Sequence, residues 1–211
     1  MHPIPASLRR ALALACLVPG LLLGGCASVY LVDNQVQSFA SWAPTSGSVG
    51  PAAPQVYRFD RLPSQREGAA GTEQDALEDI TRSALEGVGW AVAADGSPAP
   101  WTVQVSASTL KLPRAPWEEP WSGYPAWGVG SHSTLRGSVV FMRMDIPYHE
   151  RQVSLIVREV SSGRVVYETR ARHDGRWNSS PGLWRAMIDA ALRDFPNPPG
   201  GPRQVHVEVP R

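Results

Sequence analysis

The sequence predicts an α+β protein, with a mainly antiparallel sheet and two helices packed on one face, in a single domain. Two stretches that alternate apolar and polar residues flank a turn at 161–164, which is typical of an antiparallel hairpin. Two other stretches repeat apolar residues at helical spacing. The predicted order is strands, helix, strands, helix, strand, and this order favours helices segregated to one face of an antiparallel sheet.

The first part of the domain is predicted to form a strand, a loop and a second strand. Residues 28–42 mix apolar with polar positions and predict a strand with a break near Asp33 and Asn34. Residues 43–54 are rich in Pro, Gly, Ser and Ala, a composition typical of a loop. Residues 56–59 predict a short strand that Pro63 ends.

A first amphipathic helix is predicted to begin near Thr72, which with Asp75 resembles a capping box that uses a shorter acid. Glu78 and Arg82 have the spacing of a favourable ion pair on the side opposite the apolar face. The apolar positions and the terminating glycines are Leu77, Ile80, Ala84, Val88, Gly87 and Gly89.

Four further strands are expected before the second helix. Residues 101–110 alternate apolar and polar side chains, which indicates a half-buried strand. Residues 138–146 predict another strand, and residues 153–160 and 165–171 predict the hairpin.

The second helix is predicted to open at Ser180 and Pro181, an N-cap residue followed by proline in the first turn. Pro196 ends this helix, and Val205–Val209 alternate as a final strand. The apolar stripe that predicts the helix comprises Trp184, Met187, Ile188, Ala191, Leu192 and Phe195.

The N-terminal segment has the organisation of a secretory signal. Arg9 and Arg10 precede an apolar stretch at 11–23, which is too short to cross a hydrocarbon core of about 30 Å as a helix. Residues 23–26, Leu-Gly-Gly-Cys, resemble the lipobox of bacterial lipoproteins. That resemblance implies cleavage before Cys26, a thioether-linked lipid on its sulfur, and an outer-membrane address because Ala27 is not aspartate. The alternative is an ordinary cleavable signal with a chance cysteine.

The predicted organisation follows from that cleavage. Residues 1–25 are a signal peptide, 26–54 hold the lipidated N-terminus, the first strand and the loop, and 55–211 complete the domain. The mature domain would hold no free thiol, because Cys16 leaves with the signal and Cys26 carries lipid. A formal charge of +1 argues against a nucleic-acid partner.

The chain also resembles the outer-membrane lipoproteins grouped as the domain of unknown function 4136 family. The segments that carry this resemblance are 56–59, 101–105, the insert at 113–130, the hairpin at 153–167 and the ending at 195–199. Their linear order is the main argument. The resemblance implies a fold and an address, and no activity or site residue comes with it.

An insert rich in Trp, Pro and Gly at about 113–137 is the unusual segment, and its aromatic residues form the candidate binding surface: Trp117, Trp121, Tyr124 and Trp127. These side chains offer large contact areas for a partner protein, a glycan or a lipid leaflet. The alternatives are a loop whose tryptophans cover the open face of the sheet, and a segment without fixed structure.

The sequence shows no motif that predicts catalysis, a metal site or a cofactor. Glycines 128 and 130 lack the context of a phosphate-binding loop, and Glu118 and Glu119 lie in an irregular segment. His132, His149, His173 and Asp174 lack metal-ligand spacing. We therefore expect a non-catalytic envelope protein that docks a partner through a sheet edge or the insert. The alternatives are a glycan- or lipid-binding module and a hydrolase whose site is assembled from distant residues.

Overall fold

The structure is a computed structural model, and it describes residues 29–42, 49–113, 115–117, 147–176 and 181–210. Within these residues seven strands form one sheet. The strands are β1 (Val29–Ala40), β2 (Gln55–Phe59), β3 (Trp90–Val92), β4 (Trp101–Leu112), β5 (Tyr148–Glu159), β6 (Val165–Gly175) and β7 (Arg203–Pro210).

The sheet is mixed, in the order β3-β2-β4-β5-β6-β1-β7. The five strands β4, β5, β6, β1 and β7 pair antiparallel with one another in that order, whereas β2 pairs in parallel with both β3 and β4. Two helices, α1 (Gly68–Gly87) and α2 (Pro181–Ala191), complete a single α+β domain. The predicted fold class is confirmed, except that part of the sheet is parallel.

One face of the sheet forms the core with both helices. Along β5, Val153, Leu155 and Val157 are buried, and the residues between them are only partly so. This alternation is the period expected of a strand that has one covered face. Leu85 of α1 and Met187 of α2 belong to the same cluster, so both helices pack on this side. The opposite side, called the open face below, carries mainly polar side chains.

The predicted hairpin, second helix and final strand are confirmed. Strands β5 and β6 pair along almost their whole length across a turn in which Gly163 has φ 68°. This left-handed conformation suits glycine because it carries no Cβ. Helix α2 begins at Pro181, and β7 includes the predicted valines. The predicted end of α2 at Pro196 is wrong, because the helix ends at Ala191 and the chain continues in turns, with the N–H of Phe195 donating to the carbonyl of Leu192 at 3.1 Å. The strand predicted at 138–146 lies outside the described residues.

The predicted break in β1 is wrong, because the strand runs without interruption from Val29 to Ala40. Asn34 does not turn the chain. It is buried on the core side, where its Nδ2 donates to the carbonyl oxygen of Val32 at 3.0 Å and to that of Val205 at 3.4 Å. Pairing with β6 on one side and β7 on the other overrides the turn preference of this residue.

The predicted start of α1 is also wrong, because the helix begins at Gly68 after an extended Glu67. Thr72 lies inside the first turns, and its hydroxyl donates back to the carbonyl oxygen of Gly68 at 3.5 Å. Asp75 is not a capping residue, since its carboxylate binds Arg61. The predicted termination by Gly87 is confirmed.

The predicted ion pair between Glu78 and Arg82 is not formed. Arg82 pairs with Asp79 at 2.8 Å, and Glu78 pairs with Arg61 at 2.6 Å. Glu78 faces the sheet and is buried. Spacing along the helix alone suggested a solvent-side pair, whereas the packing of α1 on the sheet gave Glu78 a different partner.

Candidate functional site

Where α1, α2 and the outer half of β4 meet, the structure contains a groove of about 880 Å³. Its apolar side chains include Leu77 and Ile80 of α1, Ala107 of β4 and Trp184 of α2. The remaining residues that line it are Gln65, Ala70, Glu73, Gln74, Ala76, Asp79, Ser108, Thr109 and Pro181. The three consecutive β4 residues, 107–109, show that the groove reaches the strand's backbone.

The β4 edge beside this groove is unpaired in the part of the chain that the structure describes. β2 pairs with β4 only as far as Phe59 opposite Val103, where the backbone N–H of Asp60 donates to the Val103 carbonyl at 2.9 Å. The next carbonyl on this side, that of Val105, accepts from Nε2 of Gln74 at 3.1 Å. Backbone groups alternate in direction along a strand, so Ala107, Thr109 and Lys111 also point away from β5. These three residues are exposed, and we call them the β4 free edge.

A polar network holds Gln74 at the inner end of the β4 free edge. Its Oε1 accepts from Nε2 of Gln65 at 3.0 Å, and its Nε2 also donates to Glu78 at 3.0 Å. Arg61 donates two hydrogen bonds to Glu78, at 2.6 and 2.7 Å, and one to Asp75 at 2.6 Å. The hydrogen bonds to Glu78 and then to Asp75 raise the pKa of Arg61 above its usual value. The network therefore fixes the point at which ordinary sheet pairing stops.

The rim of the groove is acidic. Glu73 and Asp79 are the ionisable residues that line it among the described residues. Asp79 is partly neutralised by Arg82, at 2.8 Å, in an exposed pair that contributes little energy. The groove thus combines an apolar floor, unpaired backbone groups and negative charge, a combination suited to an extended segment that carries a basic residue.

The one member of the candidate aromatic surface within the described residues, Trp117, is 68% exposed. Its ring packs edge-on against Tyr148, with ring centroids 5.1 Å apart. The Tyr148 hydroxyl hydrogen-bonds the carboxylate of Asp174, and burial followed by this bond raises its pKa. Tyr148 and Asp174 both project from the open face. Trp117, which contacts Tyr148, therefore lies at one end of that face. Trp121, Tyr124 and Trp127 lie outside the described residues.

A second depression of about 400 Å³ lies beside Trp117 at this end of the open face. The polar residues that line it come from four strands and are Asp33, Asn34, Gln35, Tyr148, Glu150, Arg172, His173, Asp174 and Gln204. No local pattern groups these residues, because they meet only through the pairing of β7, β1, β6 and β5.

The other side chains considered for chemistry lie apart. Nδ1 of His173 donates to the carbonyl oxygen of Asp33 at 2.8 Å, so it is engaged with backbone. Burial, together with the positive charges of Arg151 and Lys111, lowers the pKa of His149. Among the described residues no group of three or more His, Cys, Asp or Glu side chains is placed to bind a metal. Cys26, His132, Glu118 and Glu119 lie outside the described residues.

The described residues contain no helix that is both long and apolar enough to cross a membrane.

Sequence reasoning missed Arg61, Gln74 and the β4 free edge. Arg61 follows β2 by two residues and carries no local signal for its bond to Glu78, seventeen residues later. The signal that could have found this contact is the position of Glu78 on the sheet-facing side of an amphipathic helix. A carboxylate that is buried there needs a cationic partner.

No protein-family model and no curated protein sequence matches this chain. Among solved structures, it is similar to a PDZ domain protein from Parabacteroides distasonis, with a TM-score of 0.52 and 15% sequence identity. That match covers 94% of this chain and 42% of the other, so this chain corresponds to less than half of that protein. It is also similar to PelC from Paraburkholderia phytofirmans, solved as a dodecamer, with a TM-score of 0.39 and 12% identity over 75% of this chain and 94% of that one. At such identities the first likeness shows a shared fold alone, and the second is too distant to support an argument.

Proposed function

We propose that this chain is a lipid-anchored protein of the bacterial cell envelope that acts as a non-catalytic interaction module. Cys26 carries the lipid and holds the domain at the periplasmic face of the outer membrane. The β4 free edge and its groove dock an extended segment of another envelope protein. The resemblance to the domain of unknown function 4136 family supports the address and belongs to the same proposal.

The observation that carries the docking role is the coincidence of unpaired backbone with an apolar groove. The β4 free edge offers about six backbone hydrogen-bonding groups, each contributing about 0.5–1.5 kcal/mol when paired. Leu77, Ile80 and Trp184 provide apolar surface beside it for alternate side chains of the added segment. Strand addition uses both elements, with backbone bonds for affinity and side-chain pockets for specificity.

The docking role is tested by photo-crosslinking in intact envelopes, with the crosslinking amino acid placed at Ser108 of the full chain. A crosslinked partner is expected, and its yield should fall at least about fivefold when Ala107→Pro is added, because proline removes an outward N–H but leaves the β5 pairing intact. Ala107→Val, which keeps that N–H, is the matched control. An equal yield from Ala107→Pro and Ala107→Val contradicts the proposal, as does equal crosslinking from the distant turn residue Asp95.

The anchor is tested separately by labelling cells with a clickable palmitate analogue. Cys26→Ser should abolish incorporation of the label, whereas Cys16→Ser should leave it unchanged. The reason is that Cys16 is removed with the signal peptide, while Cys26 stays in the mature chain. Labelling that persists in Cys26→Ser would overturn the proposed lipid site without bearing on the groove.

A second candidate function is glycan or lipid binding through the tryptophans of the insert. The exposure of Trp117 beside the polar depression favours it, because a large exposed aromatic ring next to hydrogen-bonding side chains suits a sugar ring. The test compares the wild-type chain with a triple variant in which alanine replaces Trp117, Trp121 and Trp127. Binding of each protein to peptidoglycan and to liposomes is measured. Unchanged binding in the variant would eliminate this candidate.

A further inference from the structure

The outer edge of β7 is a second unpaired edge within the described part of the chain. β7 ends the sheet order and pairs with β1 on its inner side from Arg203 opposite Val36 to Pro210 opposite Val29. An edge of this length is a template for another strand unless the chain protects it.

The hydrogen bonds around β7 show which backbone groups face outward. The carbonyl of Val205 accepts from Asn34 of β1, so it faces inward. The carbonyl of His206 accepts from Nη2 of Arg193, which follows α2, at 3.5 Å. Alternation then places the N–H and C=O groups of Gln204, His206 and Glu208 on the outer edge. At 3.5 Å the Arg193 contact is weak, and an added strand would displace this exposed side chain from the carbonyl.

The side chains of β7 are complementary to the same strand turned end to end. Val205, Val207 and Val209 face the core side, whereas His206 and Glu208 lie on the open face. Nδ1 of His206 binds Oδ1 of Asp33 on β1 at 2.5 Å, so Nε2 is the ring nitrogen left for a partner strand. An antiparallel copy centred on Val207 sets His206 opposite Glu208 twice and Val205 opposite Val209 twice. We infer that two copies of this chain associate through β7 in this register, forming one continuous sheet with a two-fold axis at Val207.

The neighbouring registers that keep side chains on the same faces are less favourable. Moving the axis to Glu208 sets the two Glu208 carboxylates against each other, and like charges directly opposite are destabilising. Moving it to His206 sets the two imidazoles opposite and pairs Arg203 with Val209. The Val207 register alone provides two His206–Glu208 pairs, in which imidazole and carboxylate can hydrogen-bond, and three valine pairs. It also places Pro210, which lacks an N–H, at the end of the ladder.

Register-specific disulfide formation tests this association, using the full chain in mild detergent with Cys16 and Cys26 replaced by serine. Val207 would face its own copy in a non-hydrogen-bonded pair, with Cα atoms about 4.5 Å apart. This separation is within the range that a disulfide spans. Two copies of Val209 would lie about 13 Å apart, beyond that range. Both valines are half-buried on the same face, so Val209→Cys is the matched control.

We expect mild oxidation to convert most of Val207→Cys to a disulfide-linked dimer, at a rate at least about tenfold above that of Val209→Cys. Adding Glu208→Arg should slow the Val207→Cys reaction about tenfold, because both His206–Glu208 pairs are lost and a guanidinium takes the place of each carboxylate. Circular dichroism checks that each variant is folded. Equal rates for the two cysteine variants would overturn the inference. So would purely monomeric sedimentation of the unmodified chain at about 100 µM.

Discussion

The side-chain Nε2 of Gln74 donates a hydrogen bond to the backbone carbonyl of Val105 at 3.1 Å, so a helix residue ends the pairing of a strand edge. Beyond this bond β4 continues to Leu112 with β5 as its only neighbour among the described residues. The same amide donates to the buried Glu78, which couples the edge to the Arg61 network. The inner limit of the proposed docking site is therefore set by one amide group.

Replacing Gln74 with alanine should lower the free energy of unfolding by about 1–3 kcal/mol, because it leaves a buried carbonyl and a buried carboxylate short of a donor. Gln37→Ala, on the exposed side of β1, should change it by less than about 0.5 kcal/mol. Urea denaturation of both variants measures the difference. Equal effects would mean that the Gln74 bond adds no stability.

Adjacent acids on α1 should differ sharply in their contribution to stability. Glu78→Gln should lower the free energy of unfolding by about 2 kcal/mol, because the buried carboxylate accepts two hydrogen bonds from Arg61. Arg61 is partly exposed, so this loss is smaller than for a fully buried pair. Asp79→Asn should lower the free energy of unfolding by less than about 1 kcal/mol, because the ion pair between Asp79 and Arg82 is exposed. Chemical denaturation in low salt measures both, and a larger loss for Asp79→Asn would contradict the assignment.

Tyr57→Phe should raise the free energy of unfolding by about 1 kcal/mol at pH 7, because the Tyr57 hydroxyl is buried without a hydrogen-bond partner among the described residues. Tyr148→Phe should lower it instead, since its hydroxyl binds Asp174.

The pH dependence of Tyr57 has a defined sign. Burial raises its pKa in the folded protein, so the folded state keeps a proton that the unfolded chain loses above about pH 10. Stability should be full below that pH and fall as the pH rises further. Tyr57→Phe should lose less stability than wild type between pH 9 and about pH 11 in thermal unfolding monitored by circular dichroism. Parallel curves would contradict this reasoning.

Gly50→Ala should lower the free energy of unfolding by about 2 kcal/mol, because a Cβ at this position would lie 2.5 Å from Cβ of Pro196 and 2.9 Å from Nε1 of Trp42. Gly87→Ala is the matched control, since nothing lies within 4 Å of its added Cβ and alanine favours a helix. Thermal unfolding should show a lower Tm for the first variant and an unchanged or higher one for the second.

Elements with a complete local signal were predictable. The β5–β6 hairpin repeats its alternation over many residues around a glycine-containing turn, and α2 combines an apolar stripe with proline at its start. β3 was missed because three residues, Trp90–Val92, are too few to show a period. Its parallel pairing with β2 arises because α1 connects the two strands and returns the chain in the same direction.

The candidate site was predictable only in kind. A sheet edge was one of the expected docking surfaces, but the particular edge depends on where β2 leaves β4 and on Gln74 reaching Val105. Those contacts join residues far apart in the sequence. The position of Trp117 likewise depends on the contact between its ring and that of Tyr148.

The sequence by itself determined the α+β class, the hairpin, the two amphipathic helices and the expectation of a lipid address at Cys26, because periodicity and short signals are local properties. Only the tertiary structure decided the partner of Glu78, the continuity of β1, and which edges remain unpaired. The physical reason is that a buried charge, a buried amide or an unpaired backbone group takes its partner from whichever element packs against it, and that element can come from any part of the chain.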